Sequence, residues 1–371
     1  MNASAGFVPP PYPYDRLDRL APLARAFPGG VVDLSIGTPC DPPPAAVIEA
    51  LGHSNTERGY PASIGSEALR IAIRNWFSRR FQVEVPLGQI AACVGTKEFV
   101  ATTPQYLKLR TPSRDTVLYP AVAYPTYEMG ATLAGCRGVA VPAAPDGGID
   151  LAAIQPADAA RALMLWVNSP SNPTGALSDL HAAAEWGRAH GVPVFSDECY
   201  VEFTWDAAPT TILESGLDGV VAVHSLSKRS NLAGVRVGFY AGDAELVNYL
   251  KEVRKHVGMM VPGPAQAAGA VALADDAHVA EQRDRYRRRL ERLAAVLSQW
   301  SGLPIAMPAG SFYLWFDAHD GWAFAERLAC EGGALVSPGD FYGAGGAHNV
   351  RAAVVQPDER IELVAQRLGV H

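Results

Sequence analysis

The sequence lacks any surplus of positive charge: 31 Lys+Arg stand against 38 Asp+Glu over 371 residues, for a net charge of −7. A protein that grips phosphate backbones needs a basic face, so no nucleic-acid partner is expected and a small molecule is. Long apolar runs are missing too. VVAVHSL at 220–226 is broken by His224 and falls well short of the roughly 18 residues of a membrane span, so no membrane partner is expected. The five cysteines (Cys40, Cys93, Cys136, Cys199, Cys330) are odd in number, scattered and never in a C-x-x-C pair. That argues against a disulfide framework and against a metal site. The opening stretch MNASAGFVPPPYPYDRL has prolines and acids where an export signal has a basic region and an apolar stretch, so a reducing, cytoplasmic setting is expected.

Apolar residues make up 49% of the chain and charged residues 19%, the balance of a globular protein with an ample core. The first 44 residues are rich in proline (PPPYPY, TPCDPPP) and read as an extended arm laid on another surface. From Ser66, a candidate N-cap, helix and strand alternate: AACV (91–94), TVLY (116–119), GVAV (138–141), ALMLWV (162–167), VPVF (192–195), VVAVHS (220–225) and VRVGFY (235–240). Short buried runs with helices between them predict a mostly parallel sheet. The nine residues from Leu226 to Gly234 are too few for a parallel crossover, so the last strand is expected to run antiparallel. A long helical stretch follows from about Asp243 to 300, and its charge run RDRYRRRLERL reads as a solvated face. Strands SFYLWF, ALVS and NVRAAVV then alternate with helices near 321–331 and from Pro357. The expectation is an α/β architecture: a large domain over 45–262 and a small α+β domain over 263–371.

Lys228 lies in HSLSKRSNLAGVRVG, with Ser225 and Ser227 before it and Arg236 eight residues after. Hydroxyls and a guanidinium there suit a bound phosphate, leaving the amine free to reach a cofactor carbonyl. The run VPVFSDECY brings Asp197 and Tyr200 to the carboxyl edge of the sheet, where α/β proteins bind ligands. A carboxylate there can pair with a protonated ring nitrogen; at about 4 Å and an effective dielectric near 20 the attraction is about 4 kcal/mol. Asn172 falls in the turn VNSPSNPTG, and Gly95 and Thr96 in VGTKEFV open a helix whose free N–H groups favour an anion. Each has a bland reading as well: Asp197 as a helix cap, Asn172 as a turn residue.

Taken together, N-P-x-G, S-D-x-x-Y and S-x-S-K followed by Arg resemble the pyridoxal-phosphate-dependent aminotransferases of fold type I, class I/II, over nearly the whole chain. The resemblance implies a seven-stranded large domain, an arm over 1–44 that contributes to the small domain, and pyridoxal 5'-phosphate on Lys228 as a Schiff base. It further implies that Asp197 pairs with the ring nitrogen, that Asn172 and Tyr200 bind the ring hydroxyl, and that Tyr124 stacks on the ring. Gly95, Thr96, Lys97 through its backbone, Ser225, Ser227 and Arg236 would surround the phosphate. Tyr60, in GYPASIG, would reach the phosphate of a neighbouring subunit, which implies a homodimer with shared sites. Arg351 and Gly37 would meet the substrate carboxylate; in SIGTPCDPP the usual acidic residue after Pro39 is displaced by Cys40, with Asp41 following. SLSKRSNLAG and MMVPGPAQAA resemble N-succinyldiaminopimelate aminotransferases of lysine biosynthesis. Other expectations stay open: a transaminase for methionine, alanine or aromatic amino acids, a C–S lyase of the same fold, and a cofactor-binding regulatory domain.

Overall fold

Runs of branched and aromatic residues bounded by Gly, Pro and Asp become buried strands where helices can cover both of their faces. In the computed structural model, which describes residues 6–370, the strands are β1 (Val32–Asp33), β2 (Ile90–Cys93), β3 (Thr116–Pro120), β4 (Arg137–Val141), β5 (Ala162–Asn168), β6 (Val194–Asp197), β7 (Val220–Ser225), β8 (Gly238–Gly242), β9 (Tyr313–Asp317), β10 (Ala334–Leu335), β11 (Ser337–Pro338) and β12 (Asn349–Ala353). The helices are α1 (Ala21–Arg25), α2 (Ala45–His53), α3 (Glu67–Phe81), α4 (Thr96–Arg110), α5 (Thr126–Leu133), α6 (Pro156–Arg161), α7 (Leu180–His190), α8 (Leu226–Arg229), α9 (Ala244–Val257), α10 (Gly263–Ala274), α11 (Ala277–Ser301), α12 (Gly321–Gly332) and α13 (Asp358–Arg367).

Seven strands form the central sheet in the order β2-β8-β7-β6-β5-β3-β4. β3 to β7 pair in parallel, whereas β8 is antiparallel to both neighbours, as the short connection from β7 implies. Every residue of β5, β6 and β7 is buried, so their carboxyl ends form a fixed edge in the middle of the molecule. Ser66 caps α3 as expected, its hydroxyl accepting from the Leu69 N–H at 3.2 Å. No helix among the described residues is long and apolar enough to cross a membrane.

Three expectations need correction. The strand expected from Val235 starts at Gly238, because Arg236 adopts a left-handed φ of 60° that no strand continues through. The helical stretch from Asp243 is three helices: Gly258, at φ 81°, closes α9, Pro262 precedes α10, and Asp275–Asp276 separates α10 from α11. The charge run on α11 is only partly solvated. Arg289 is buried, holding Asp41 through two bonds of 2.6 and 2.9 Å and Asp358 through one of 2.5 Å.

The arm is less extended than its prolines suggest, with a 3-10 turn at Pro13–Arg19 followed by α1. Its Leu17, Leu20, Ala24 and Val32 enter a core shared with Leu290 of α11 and the sheet β11-β12-β9. The division expected at 262/263 falls inside a continuous core, since Ala265, Ala268 and Ala272 of α10 pack with Leu69 and Ile73 of α3. We propose that the line between the two units runs between α10 and α11.

Replacing Asp41 with alanine removes the main anionic partner of a buried guanidinium, leaving only the exposed Asp358 carboxylate. The expected loss is about 2–3 kcal/mol of unfolding free energy. Denaturant titration checks this, and a loss under about 0.5 kcal/mol contradicts it.

Candidate active site

The carboxyl ends of β5, β6 and β7 carry Asn168, Asp197 and Ser225, and the segments just beyond them carry Asn172, Tyr200 and, on α8, Lys228. Together with the N-terminus of α4, the arm and β12 they enclose a cavity of about 510 Å³. It is lined by Thr96, Lys97, Tyr124, Asn172, Asp197 and Tyr200, and also by Gly37, Ser225, Ser227, Lys228, Arg236 and Arg351. Two expected residues stand apart: Gly95 lies just behind the wall, and Tyr60 is on the surface, 97% exposed.

At one end is an anion cradle. Ser225 ends β7 and its hydroxyl accepts from the Ser227 N–H at 3.1 Å. Arg236 is anchored through one nitrogen to the Ala233 carbonyl at 2.8 Å, and the rest of its guanidinium lies against Gly95. A Cβ on residue 95 would sit 2.1 Å from Arg236 Nη2, and φ there is 74°, so only glycine lets the guanidinium meet the first turn of α4.

Lys228 is carried by the single turn α8, and its Nζ donates to the Gly37 carbonyl. Burial drives the ammonium's pKa down to about 8, with the nearby Arg351 and Arg236 charges adding to the fall. The amine is therefore largely neutral, and nucleophilic, at mildly alkaline pH.

Asp197 closes β6. Its carboxylate receives the Tyr127 hydroxyl at 2.9 Å and the Cys199 N–H at 3.2 Å, both neutral donors. Burial raises its pKa against the hydrogen bonds from Cys199 and Tyr127 and the field of His224, and no cation among the described residues hydrogen-bonds to it. A protonated ring nitrogen fits that need, and the cradle fits a phosphate on the same ring. Tyr124 and Tyr127 stand edge to face at 6.0 Å, and burial pushes both hydroxyls up, keeping them protonated donors.

Arg351 of β12 is buried without a carboxylate partner. It donates to Asn172 Oδ1 at 2.9 Å, to the Tyr14 hydroxyl at 3.1 Å and to the Ser35 carbonyl, and its Nε has no partner. Its guanidinium carbon lies 4.0 Å from the Tyr313 ring, whose hydroxyl meets that of Tyr200 at 2.9 Å. Gly37 packs under Tyr313 so closely that a Cβ would fall 2.0 Å from its hydroxyl. A buried planar fork without a charge partner suits a substrate carboxylate.

Sequence reasoning missed Tyr12, Tyr14, Tyr127, Tyr313 and Cys199. Tyr127 had a signal, three residues after Tyr124 at a helix start, and so had Cys199, between Asp197 and Tyr200 in SDECY; Tyr12, Tyr14 and Tyr313 reach the cavity through tertiary packing. Burial also pushes the Cys199 thiol well up, so it lines the site as a neutral group.

A neutral-prone amine, a buried carboxylate and an anion cradle around one cavity define an enzyme that works through a carbonyl cofactor bearing a phosphate and a basic ring. Residues 29–368 match the sequence model of the class I and II aminotransferases, and the chain belongs to that family, whose members use pyridoxal phosphate. It is a transaminase. It is 41% identical over 370 residues to the 4-dedimethylamino-4-oxo-anhydrotetracycline transaminase of Streptomyces rimosus, covering 97% of this chain and 99% of that one. An LL-diaminopimelate aminotransferase of Aquifex aeolicus is 34% identical, covering 97% and 96%. Among solved structures, the N-succinyldiaminopimelate aminotransferase of Mycobacterium tuberculosis superposes with a TM-score of 0.84 at 28% identity, over 95% and 96% of the two chains.

The lowered Lys228 pKa sets a pH dependence. Condensation of the apoprotein with pyridoxal phosphate, trapped by borohydride and mapped by peptide analysis, is expected at Lys228, with a rate that rises through about pH 8. A rise delayed to the ordinary lysine range, or an adduct on Lys97, contradicts the assignment.

Proposed function

We propose that this transaminase exchanges an amino group between N-succinyl-LL-2,6-diaminopimelate and 2-oxoglutarate, and that it does so as a homodimer with shared sites. The observation that carries the reading is the buried Arg351, with a free Nε and no carboxylate partner among the described residues, in the same cavity as Lys228. One carboxylate fork serves both half-reactions, because each amino or oxo acid presents the same α-carboxylate to it. Support for the particular substrate comes from SLSKRSNLAG around Lys228, from MMVPGPAQAA at 259–268, and from the likeness to the mycobacterial enzyme. Within the second segment Gln266 accepts from the Ser66 N–H at 2.5 Å and donates to the Val261 carbonyl at 2.7 Å, so it braces the stretch that follows Tyr60. The exposure of Tyr60 supports a role toward a second subunit.

Pyridoxal phosphate, when bound, would supply an electron sink for the substrate α-carbon as it loses its proton. The remaining work falls to the chain. Arg351 and Asn172 fix the substrate carboxylate, Tyr124 holds the ring on one face, and Thr96, Ser225, Ser227 and Arg236 hold the phosphate with the backbone of Gly95 and Lys97. Asp197 would keep the ring nitrogen protonated, Tyr200 and Asn172 would take the ring hydroxyl, and the Lys228 amine would carry the proton between the substrate α-carbon and the cofactor's carbonyl carbon.

One observation favours a second reading. Identity is higher with the tetracycline-pathway relative, whose name gives a polycyclic ketone as its substrate, and Tyr12, Tyr14 and Tyr124 give the cavity an aromatic wall. The deciding measurement is kcat/KM for N-succinyl-LL-2,6-diaminopimelate, its N-acetyl analogue, methionine, alanine and phenylalanine, each with 2-oxoglutarate. The expected preference for the succinyl compound is about a hundredfold or more, or about 2.7 kcal/mol of transition-state binding. A win for an ordinary amino acid overturns this substrate while leaving the transaminase in place.

A further inference from the structure

Lys228 owes its place to α8, a turn of only four residues, and a helical turn that short does not hold its own shape. The next residue, Arg229, leaves the turn about 100° round from Lys228. It is buried, yet it does not line the cavity. Its Nε donates to Glu202 Oε1 at 3.0 Å, Nη1 to the Ala272 carbonyl at 2.7 Å and to the Ser230 hydroxyl at 3.2 Å, and Nη2 to Asp276 Oδ1 at 2.8 Å. The turn that carries the reactive amine is thus held from behind by a five-donor fork.

Glu202 is buried as well and does not line the cavity either. Its Oε1 also accepts from Trp76 Nε1 at 2.9 Å, and its Oε2 from Arg80 Nε at 2.9 Å, so α3 holds the carboxylate from another element. Glu202 sits in the 3-10 turn Val201–Phe203, which Tyr200 opens, the Phe203 N–H donating to the Tyr200 carbonyl at 2.8 Å. The Glu202–Arg229 pair therefore joins the segment that carries Tyr200 to the turn that carries Lys228, through a contact outside the cavity. A buried ion pair adds little net stability over apolar residues of similar shape, whereas its directional bonds fix one geometry. We propose that Glu202 and Arg229 are positioning residues: their ion pair sets where Lys228 stands relative to Tyr200, and so how well the amine reaches the two carbons between which it moves a proton. Misplacement of reacting groups by about 1 Å costs on the order of a hundredfold in rate, so a tie of this kind matters to turnover. The proposal rests on the transaminase reading with Lys228 as proton carrier, and not on any particular substrate.

The test compares the parent holoenzyme with Arg229→Gln, Glu202→Gln and the double variant, each below its melting range, in single turnover with the amino acid that reacts fastest with the parent. Rates are normalised to bound cofactor. Each single variant is expected to lower the maximal rate about tenfold while half-saturation stays within about twofold, because Arg351 is untouched, and the double variant should be no slower than the worse single one. The deciding arm uses Lys228→Ala, with added methylamine standing in for the tethered amine. There Arg229→Gln should leave the methylamine-dependent rate unchanged within about twofold, since a free amine has no tether to position. Hydrogen exchange of the apoprotein gives a reading without turnover: amides over 224–232 should exchange about tenfold faster in both single variants. An unchanged maximal rate, unchanged exchange over 224–232, a loss confined to half-saturation, or an equal loss in the tethered and methylamine reactions overturns the proposal. Should methylamine restore no rate, the rate split and the exchange decide. Parent-like turnover by Lys228→Ala would instead overturn the reading of Lys228 itself, and the proposal with it.

Discussion

A carboxylate sealed at the end of a buried parallel strand, with two neutral donors and no cation, is the constraint on which the rest of this site depends. Asp197 is 7% exposed at the cavity wall, and no basic side chain among the described residues hydrogen-bonds to it. A buried ion without a partner is costly. The cavity in front of it therefore favours a positively charged ring edge, and the attraction at contact is about 4 kcal/mol at an effective dielectric near 20. The same burial that leaves Asp197 short of a cation lowers the Lys228 pKa, so one desolvated pocket prepares both the electron-withdrawing end of the chemistry and the nucleophilic amine.

The second feature is that the site lies where two cores meet. Tyr313 and Arg351 come from the C-terminal sheet, Tyr14 and Gly37 from the arm, and Asn172 and Lys228 from loops of the central sheet. Contacts between these parts cross every boundary: Arg351 to Asn172, Lys228 to Gly37, Arg351 to Tyr14. Gly37 and Gly95 are required for the same reason, since at each a neighbouring side chain, Tyr313 or Arg236, occupies the space a Cβ would need. Asp41, four residues beyond Gly37, ties the arm to Arg289 of α11 and so helps to fix where that loop lies over Lys228.

Much of this was legible in the sequence where local rules decide. Buried β-branched runs defined the central sheet, the short link after Ser225 defined the antiparallel β8, and Ser66 defined the start of α3. The Lys228 loop, Asp197 and Asn172 were legible because strand ends and turns place chemistry at a sheet edge. What stayed hidden depends on contacts far apart in sequence. Arg289 looked like one more solvated arginine because its partner Asp41 lies 248 residues away. Tyr14 and Tyr313 carry no local signal, and only packing turns them toward Arg351. The left-handed turn at Arg236, which delays β8 to Gly238, carries no glycine to announce it.

The central claim is that Asp197 holds a proton on the ring nitrogen of the cofactor. Nitrogen-15 NMR of the holoenzyme, reconstituted with pyridoxal phosphate labelled at the ring nitrogen, reads that proton directly. At about pH 8 the account predicts a pyridinium shift in the parent enzyme and an unprotonated pyridine shift in Asp197→Asn, with the cofactor bound in both. An unprotonated nitrogen in the parent, or the same protonated shift in both proteins, would contradict it.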